Sequence, residues 1–246
     1  MPSNPQDPAQ IFDDDITQLP AERGDWPRVA RTSLDAEERD IKDILLRMGS
    51  LIEERIRDTV TALEGHDAAQ ALLVIEGDAQ INGLCAEAQD LVIRTIATQA
   101  PVARDLRFLL TLHHIGYELE RMGDSIANVA KRVRDIAPYA PLEGHVGLAE
   151  MGRLTADLLA DATRALVESD PAVAREVAAG DDLVDEHYHR AVDRLIELAK
   201  ESPDNVERAA RLLIAAHYLE RIGDRVTNIA EDIVFLATGA HEDLNP

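Results

Sequence analysis

From about Leu34 onward the apolar positions recur at alternating steps of three and four residues, the period of an amphipathic helix. The pattern is clearest in two runs: Leu112, Ile115, Leu119, Met122, Ile126, Val129, Val133 and Ile136, then Leu212, Ala215, Leu219, Ile222, Val226, Ile229, Ile233 and Leu236. Each run is a knobs-into-holes seam. Breaks near Gly65-His66-Asp67, Ala100-Pro101, Pro138 to Gly147, Ser169-Asp170-Pro171 and Ser202-Pro203 divide the pattern into six helices. Asp170 and Ser202 stand before prolines at helix starts, where a missing N–H costs nothing and the side chain serves at or next to the N-cap. Short connections between long helices force antiparallel neighbours, so each set of three should run up-down-up. The expected fold is all-α, with two tandem three-helix bundles at residues 35–139 and 142–240.

The two sets are copies of one another. Met48-Gly49 returns as Met151-Gly152, Ala62-Leu63 as Ala165-Leu166, and Gly77-Asp78 as Gly180-Asp181, all 103 residues later. In the third helix of each set the offset is 100, and Glu120-Arg121-Met122-Gly123-Asp124 matches Glu220-Arg221-Ile222-Gly223-Asp224. Residues 1–34 belong to neither copy. They hold five of the eleven prolines and the run Asp13-Asp14-Asp15, and read as a flexible Pro-rich acidic tail, a mobile extension without function being favoured over docking through Ile11, Phe12, Ile16 and Leu19.

Composition narrows the chemistry. Hydrophobic residues make up 46% of the 246 positions but aromatic residues only 3%, which favours a core of small aliphatic side chains between close helices. The formal charge of -22 repels phosphate backbones and anionic lipid, so nucleic-acid binding is not expected. The basic residues do not cluster along the chain, and direct sensing of inorganic phosphate is not expected either. Cys85 falls in an apolar row with Ile81, Leu84 and Ala88 and reads as core. No basic leader or spanning apolar stretch is present in the sequence, which is read as cytoplasmic and not membrane-inserted.

The candidate chemistry is carboxylate chemistry. Residues four apart share a helix face at about 6 Å, so Glu120 with Asp124, and Glu220 with Asp224, place like charges side by side twice. On the second helix of each set, Asp181 and Asp185 form a further pair, with Asp78 and Asn82 as its less charged counterpart. Two such rows on adjacent helices offer oxygen ligands for a hard or borderline cation, iron first, with manganese, magnesium, calcium and zinc as alternatives. The plain alternative is a solvated acidic face partly neutralised by Arg121 and Arg221. Against it, Gly123 and Gly223 recur inside helices, where glycine costs about 1 kcal/mol relative to alanine, so something packs closely there. The heptad phase turns Glu120 and Asp124 away from the seam, toward the outside of the bundle.

Phosphate-binding glycine loops, dinucleotide fingerprints and the nucleophile elbow are absent from the sequence. Glu186 and His189 have the Glu-x-x-His spacing of di-iron bundles, but the first copy has no partner motif. His113, His114 and His217 do not repeat, and only His217 neighbours a carboxylate row. A regulatory binding protein is therefore favoured over a metal-dependent oxidase or phosphatase, and over a metal-free structural adaptor.

In their order, Val74-Ile75-Glu76-Gly77-Asp78, Pro101 with Asp105-Leu106-Arg107, Glu118-Leu119-Glu120-Arg121-Met122-Gly123-Asp124 and Leu219-Glu220-Arg221-Ile222-Gly223-Asp224-Arg225 closely resemble the PhoU family of phosphate-uptake regulators. The likeness spans roughly residues 34–239 and implies two three-helix bundles related by a pseudo-twofold axis, frequent homodimerisation and no catalysis. It implies metal held by Asp78, Asn82, Glu120 and Asp124 in the first copy, and by Asp181, Asp185, Glu220 and Asp224 in the second. It also implies a negative regulator of the phosphate regulon that links the phosphate ABC transporter to a membrane sensor histidine kinase. Asn82 in place of an acid gives the first site one charge fewer.

Overall fold

Asp67 and Asp170 each stop one helix and start the next. Asp67 Oδ1 accepts hydrogen bonds from the backbone N–H of Ala69 and Gln70, at 2.9 and 3.0 Å. Asp170 Oδ1 does the same for Ala172 and Val173, at 2.8 and 3.3 Å, satisfying donors that the first turn leaves open. In the computed structural model, which describes residues 28–142 and 147–244, these and the other predicted breaks separate six helices. They are α1 (Arg28–Gly65), α2 (Ala68–Gln99), α3 (Arg104–Ile136), α4 (Leu148–Glu168), α5 (Pro171–Glu201) and α6 (Val206–Thr238). Helix α1 begins ahead of Leu34, because helical hydrogen bonding runs on where the apolar stripe has not yet started. Ser202 caps a short 3-10 turn, Pro203–Asn205, that leads into α6. The tail's docking candidates, Ile11, Phe12, Ile16 and Leu19, lie outside the described residues.

Helices α1, α2 and α3 pack as one three-helix bundle and α4, α5 and α6 as another. Both predicted seams are buried throughout, except that Leu236 is partly covered. Each wholly buried Leu, Ile or Met contributes about 1.5–3 kcal/mol. Cys85 is buried and its thiol lies 3.6 Å from the Gly116 carbonyl; burial raises its pKa, so it packs and does not react.

The bundles join through α1 against α4 and α3 against α6. Both pairs run antiparallel. Arg57 pairs with Asp157 at 2.8 Å and Glu64 with Arg153 at 2.9 Å, so later residues of α1 meet earlier ones of α4. Likewise His114 meets Asp232, and Asp135 meets Arg211, both at 2.7 Å. Such pairing of equivalent helices is what a twofold axis produces. The glycines follow the same symmetry: a Cβ on Gly49 would stand 2.8 Å from Thr163 Oγ1, and one on Gly152 would stand 2.4 Å from Val60 Cγ2. Thr163 and Val60 are themselves equivalent positions, 103 residues apart.

Candidate metal centres and the cleft between the repeats

Asp78 of α2 faces the α3 row of Glu120 and Asp124, with the exposed Asn82 joined to it only through Asp78, and Asp181 and Asp185 of α5 face the α6 row of Glu220 and Asp224. The close approach that the interior glycines signalled lies here. A Cβ on Gly123 would meet Asp78 Oδ1 at 3.3 Å and Ile81 Cγ2 at 3.1 Å; one on Gly223 would stand 2.3 Å from Asp181 Oδ1. Each glycine thus leaves room for a carboxylate of the neighbouring helix.

Glu120, Asp124, Glu220 and Asp224 lie off the seam, as the heptad phase requires, yet they are half-buried rather than on the outer surface. Asp181 is only 4% exposed. The difference arises because the glycines draw α2 and α5 close over the rows, which a helical period cannot register. Burial therefore dominates the electrostatics. It raises the Asp78 and Glu120 carboxyls, with Asp124 as the next cause in both. It raises Glu220, with Asp224 next, and Asp224, with Asp185 next. Asp181 is pushed up to about 7, by burial first and then by Asp185 and Asp224.

The hydrogen bonding leaves acceptors idle. Asp78 Oδ2 accepts from Asn82 Nδ2 at 3.1 Å and Asp181 Oδ2 from the Thr227 hydroxyl at 3.3 Å. The two Oδ1 atoms, equivalent by the repeat and both turned to the glycines, are buried without a hydrogen-bond partner, and Glu220 Oε2 is in the same state, with His217 Nδ1 3.3 Å away. A buried unsatisfied acceptor costs about 1–3 kcal/mol. Among the described residues no three His, Cys, Asp or Glu side chains already stand as a closed ligand set. The donor chemistry of both groups nonetheless fits an oxygen-seeking cation, since repelling carboxylates with idle buried oxygens are what such an ion satisfies. Glu186 and His189 are engaged elsewhere, with Arg190 and with the Asp185 carbonyl.

Between α3 and α6 lies a polar network that the repeat does not foreshadow. Arg225 Nη1 donates to Glu118 Oε2 at 2.7 Å, with side-chain exposures of 13% and 6%. His114 Nδ1 is 2.7 Å from Asp232 Oδ2; burial lifts Asp232 to about 6, partly offset by His114. At three of these positions the copies diverge in charge: Arg225 answers to Ser125, Asp232 to Arg132 and Glu118 to Tyr218. That divergence is the signal from which the network could have been found. Beside it opens a cleft of about 310 Å³ lined by Arg121, Asp124 and Asn128 of α3 and by His217, Arg221 and Arg225 of α6. A larger hollow of about 880 Å³, bounded by Arg107, His114, Asp232, Phe235 and His241, touches neither carboxylate group.

Comparison with known proteins agrees with this architecture. The family model described as the PhoU domain matches the chain twice, at residues 45–133 and 148–233. A "phosphate-specific transport system accessory protein PhoU homolog" from Clostridium acetobutylicum is 35% identical over 218 residues, covering 88% of this chain and all of the relative. Its namesake from Pseudomonas aeruginosa is 32% identical over 206 residues, 83% of this chain and 85% of the relative. The crystal structure of PhoU from P. aeruginosa superposes with a TM-score of 0.80, covering 84% of this chain and 99% of that one at 32% identity. The phosphate transport system regulatory protein PhoU from Streptococcus pneumoniae gives 0.78 at 29% identity, over 85% and 99% of the two chains. Two domain matches on the two bundles, and relatives aligned along most of their length, establish that the chain belongs to the PhoU family.

Proposed function

We propose that this chain is a phosphate-transport accessory protein that restrains phosphate uptake and phosphate-regulon signalling. In this reading it is a metal-binding helical adaptor, without catalysis of its own, between the phosphate ABC transporter and a sensor histidine kinase. Its relatives carry the names of accessory and regulatory proteins. No helix among the described residues is long and apolar enough to cross a membrane, so contact with membrane partners runs through helix surfaces.

The observation that carries the metal reading is the pair of equivalent carboxylate groups, each with an idle buried oxygen behind a glycine. Asp78, Glu120 and Asp124, with the Asn82 carbonyl oxygen, would hold one ion or small cluster. Asp181, Asp185, Glu220 and Asp224 would hold the other. A bound cation neutralises the mutual repulsion of each row. The chain's own part is positional: Gly123 and Gly223 admit the α2 and α5 carboxylates, and Thr227 orients Asp181. With the rows neutralised, the α2/α3 and α5/α6 packing stiffens, and the surfaces above them present a fixed shape to a partner.

The test is metal content by mass spectrometry of the full chain purified without a metal-affinity tag, beside Glu120→Ala, Asp124→Ala, Glu220→Ala, Asp224→Ala combined. A phosphate-responsive reporter is read in a host lacking its own copy. Metal lost and reporter derepressed in a folded variant is the expected result. Metal absent from both proteins after reconstitution overturns the metal reading, and an unchanged reporter overturns its regulatory role.

A further inference from the structure

Three of the arginines scattered along this acidic sequence meet in one place. Arg121 and Arg221 are equivalent residues, 100 positions apart, and the antiparallel packing of α3 on α6 brings both to the cleft of about 310 Å³ near the pseudo-twofold axis. Arg225 adds a third guanidinium and His217 an imidazole. Three cations in one small cleft repel one another, the more so because water reaches Arg225 poorly: it is 13% exposed and its Nε is buried without a hydrogen-bond partner. Glu118 answers only Nη1 of that side chain. Arg121 lies over the Tyr117 ring, 5.4 Å from its centroid; Arg121 and Arg221 are both exposed, and Arg221 feels the charge of Glu220 and Asp224 without forming a contact ion pair among the described residues. Arg225 and His217 each have one carboxylate partner, while the N–H groups of the exposed Arg121 and Arg221 face solvent, where an anion can take the place of water.

We propose that the cleft binds one inorganic phosphate between the two repeats. Guanidinium forks match the oxygens of a tetrahedral oxyanion two at a time, and the cleft has ample room for a small anion. The Asn128 amide adds a donor, since one N–H is used on the Asp124 carbonyl at 2.9 Å and the other remains. Asp124 on the same wall sets the choice of anion. A carboxylate repels a fully ionised oxyanion such as sulfate, but it accepts a hydrogen bond from phosphate, which retains a proton near neutral pH. Asp124 belongs to the first carboxylate group as well, so the anion and the proposed metal share a wall. The inference deepens the regulatory reading, on which its biological meaning rests, by making phosphate a ligand of the regulator itself.

Isothermal titration of the full chain with inorganic phosphate at physiological ionic strength tests it, independently of any reporter. The expected result is saturable one-to-one binding, weaker for sulfate. Arg121→Gln and Arg221→Gln should each lose about tenfold or more in affinity. Arg164→Gln, the same charge change on α4 away from the cleft, should stay within about twofold. Circular dichroism confirms that the variants fold. No saturable binding below ~10 mM, or equal binding of sulfate, overturns the proposal. So does binding that survives both Gln changes but disappears after chelation, which would place the phosphate on a metal instead. Failure here leaves metal content and reporter output, the tests of the regulatory reading, untouched.

Discussion

In metal-free protein, Asp181→Asn should stabilise the fold at pH 8 and leave it unchanged at pH 4. Asp181 is 4% exposed, its Oδ1 has no hydrogen-bond partner, and Asp185, Asp224 and Glu220 all repel its charge. The carboxyl therefore stays protonated in the folded state up to about 7, whereas in the unfolded chain it ionises at its ordinary 3.8. Folding takes up a proton between those values, so stability falls as pH rises from about 4 to about 7 and is level above. At about 1.4 kcal/mol per pH unit the loss is of the order of 4 kcal/mol, an upper bound because rotation of the side chain toward water relieves part of it. Asparagine has the same shape and carries no charge; its oxygen still accepts from Thr227, and its amide donates to the carboxylates that Asp181 repels. Urea unfolding at pH 4, 6 and 8 with chelator present measures the difference directly. A variant no more stable than the parent at pH 8, or equally stabilised at pH 4 and pH 8, refutes the reasoning. Adding the cation should reverse the order, since ligand binding to the folded state alone stabilises the parent by mass action.

The buried Glu118–Arg225 pair predicts that Glu118→Gln or Arg225→Ala costs about 3–5 kcal/mol in denaturant unfolding, while a double change to apolar residues of similar volume costs less. Gly83, which has nothing within 4 Å of an added Cβ, should gain about 0.5–1 kcal/mol on change to Ala. Gly152→Ala drives a methyl to 2.4 Å from Val60, so crowding of about 1–3 kcal/mol should outweigh that gain; thermal melts of the two variants decide it, and equal melting temperatures would contradict the packing argument. Asn82→Asp replaces the 3.1 Å hydrogen bond to Asp78 with a repulsion, lowering metal-free stability by a few tenths of a kcal/mol and raising metal affinity at the first group toward that of the second, read by calorimetric titration.

The six helices, their breaks, the duplicated seam and the burial of Cys85 were all legible in the residue pattern, because helix periodicity and capping are local properties repeated over many turns. So was the pairing of Glu120 with Asp124 and of Glu220 with Asp224, which needs only a residue spacing. How deep those acids lie was not legible. A helical period says which residues share a face, but whether that face meets water or another helix depends on how near the neighbour comes, and Gly123 and Gly223 bring it within contact of Asp78 and Asp181. The meeting of Arg121 with Arg221, and of Glu118 with Arg225, depends on tertiary structure even more completely. Each lies about one hundred residues from its partner, and only the antiparallel docking of one repeat on the other turns scattered charges into a buried ion pair and a cationic cleft.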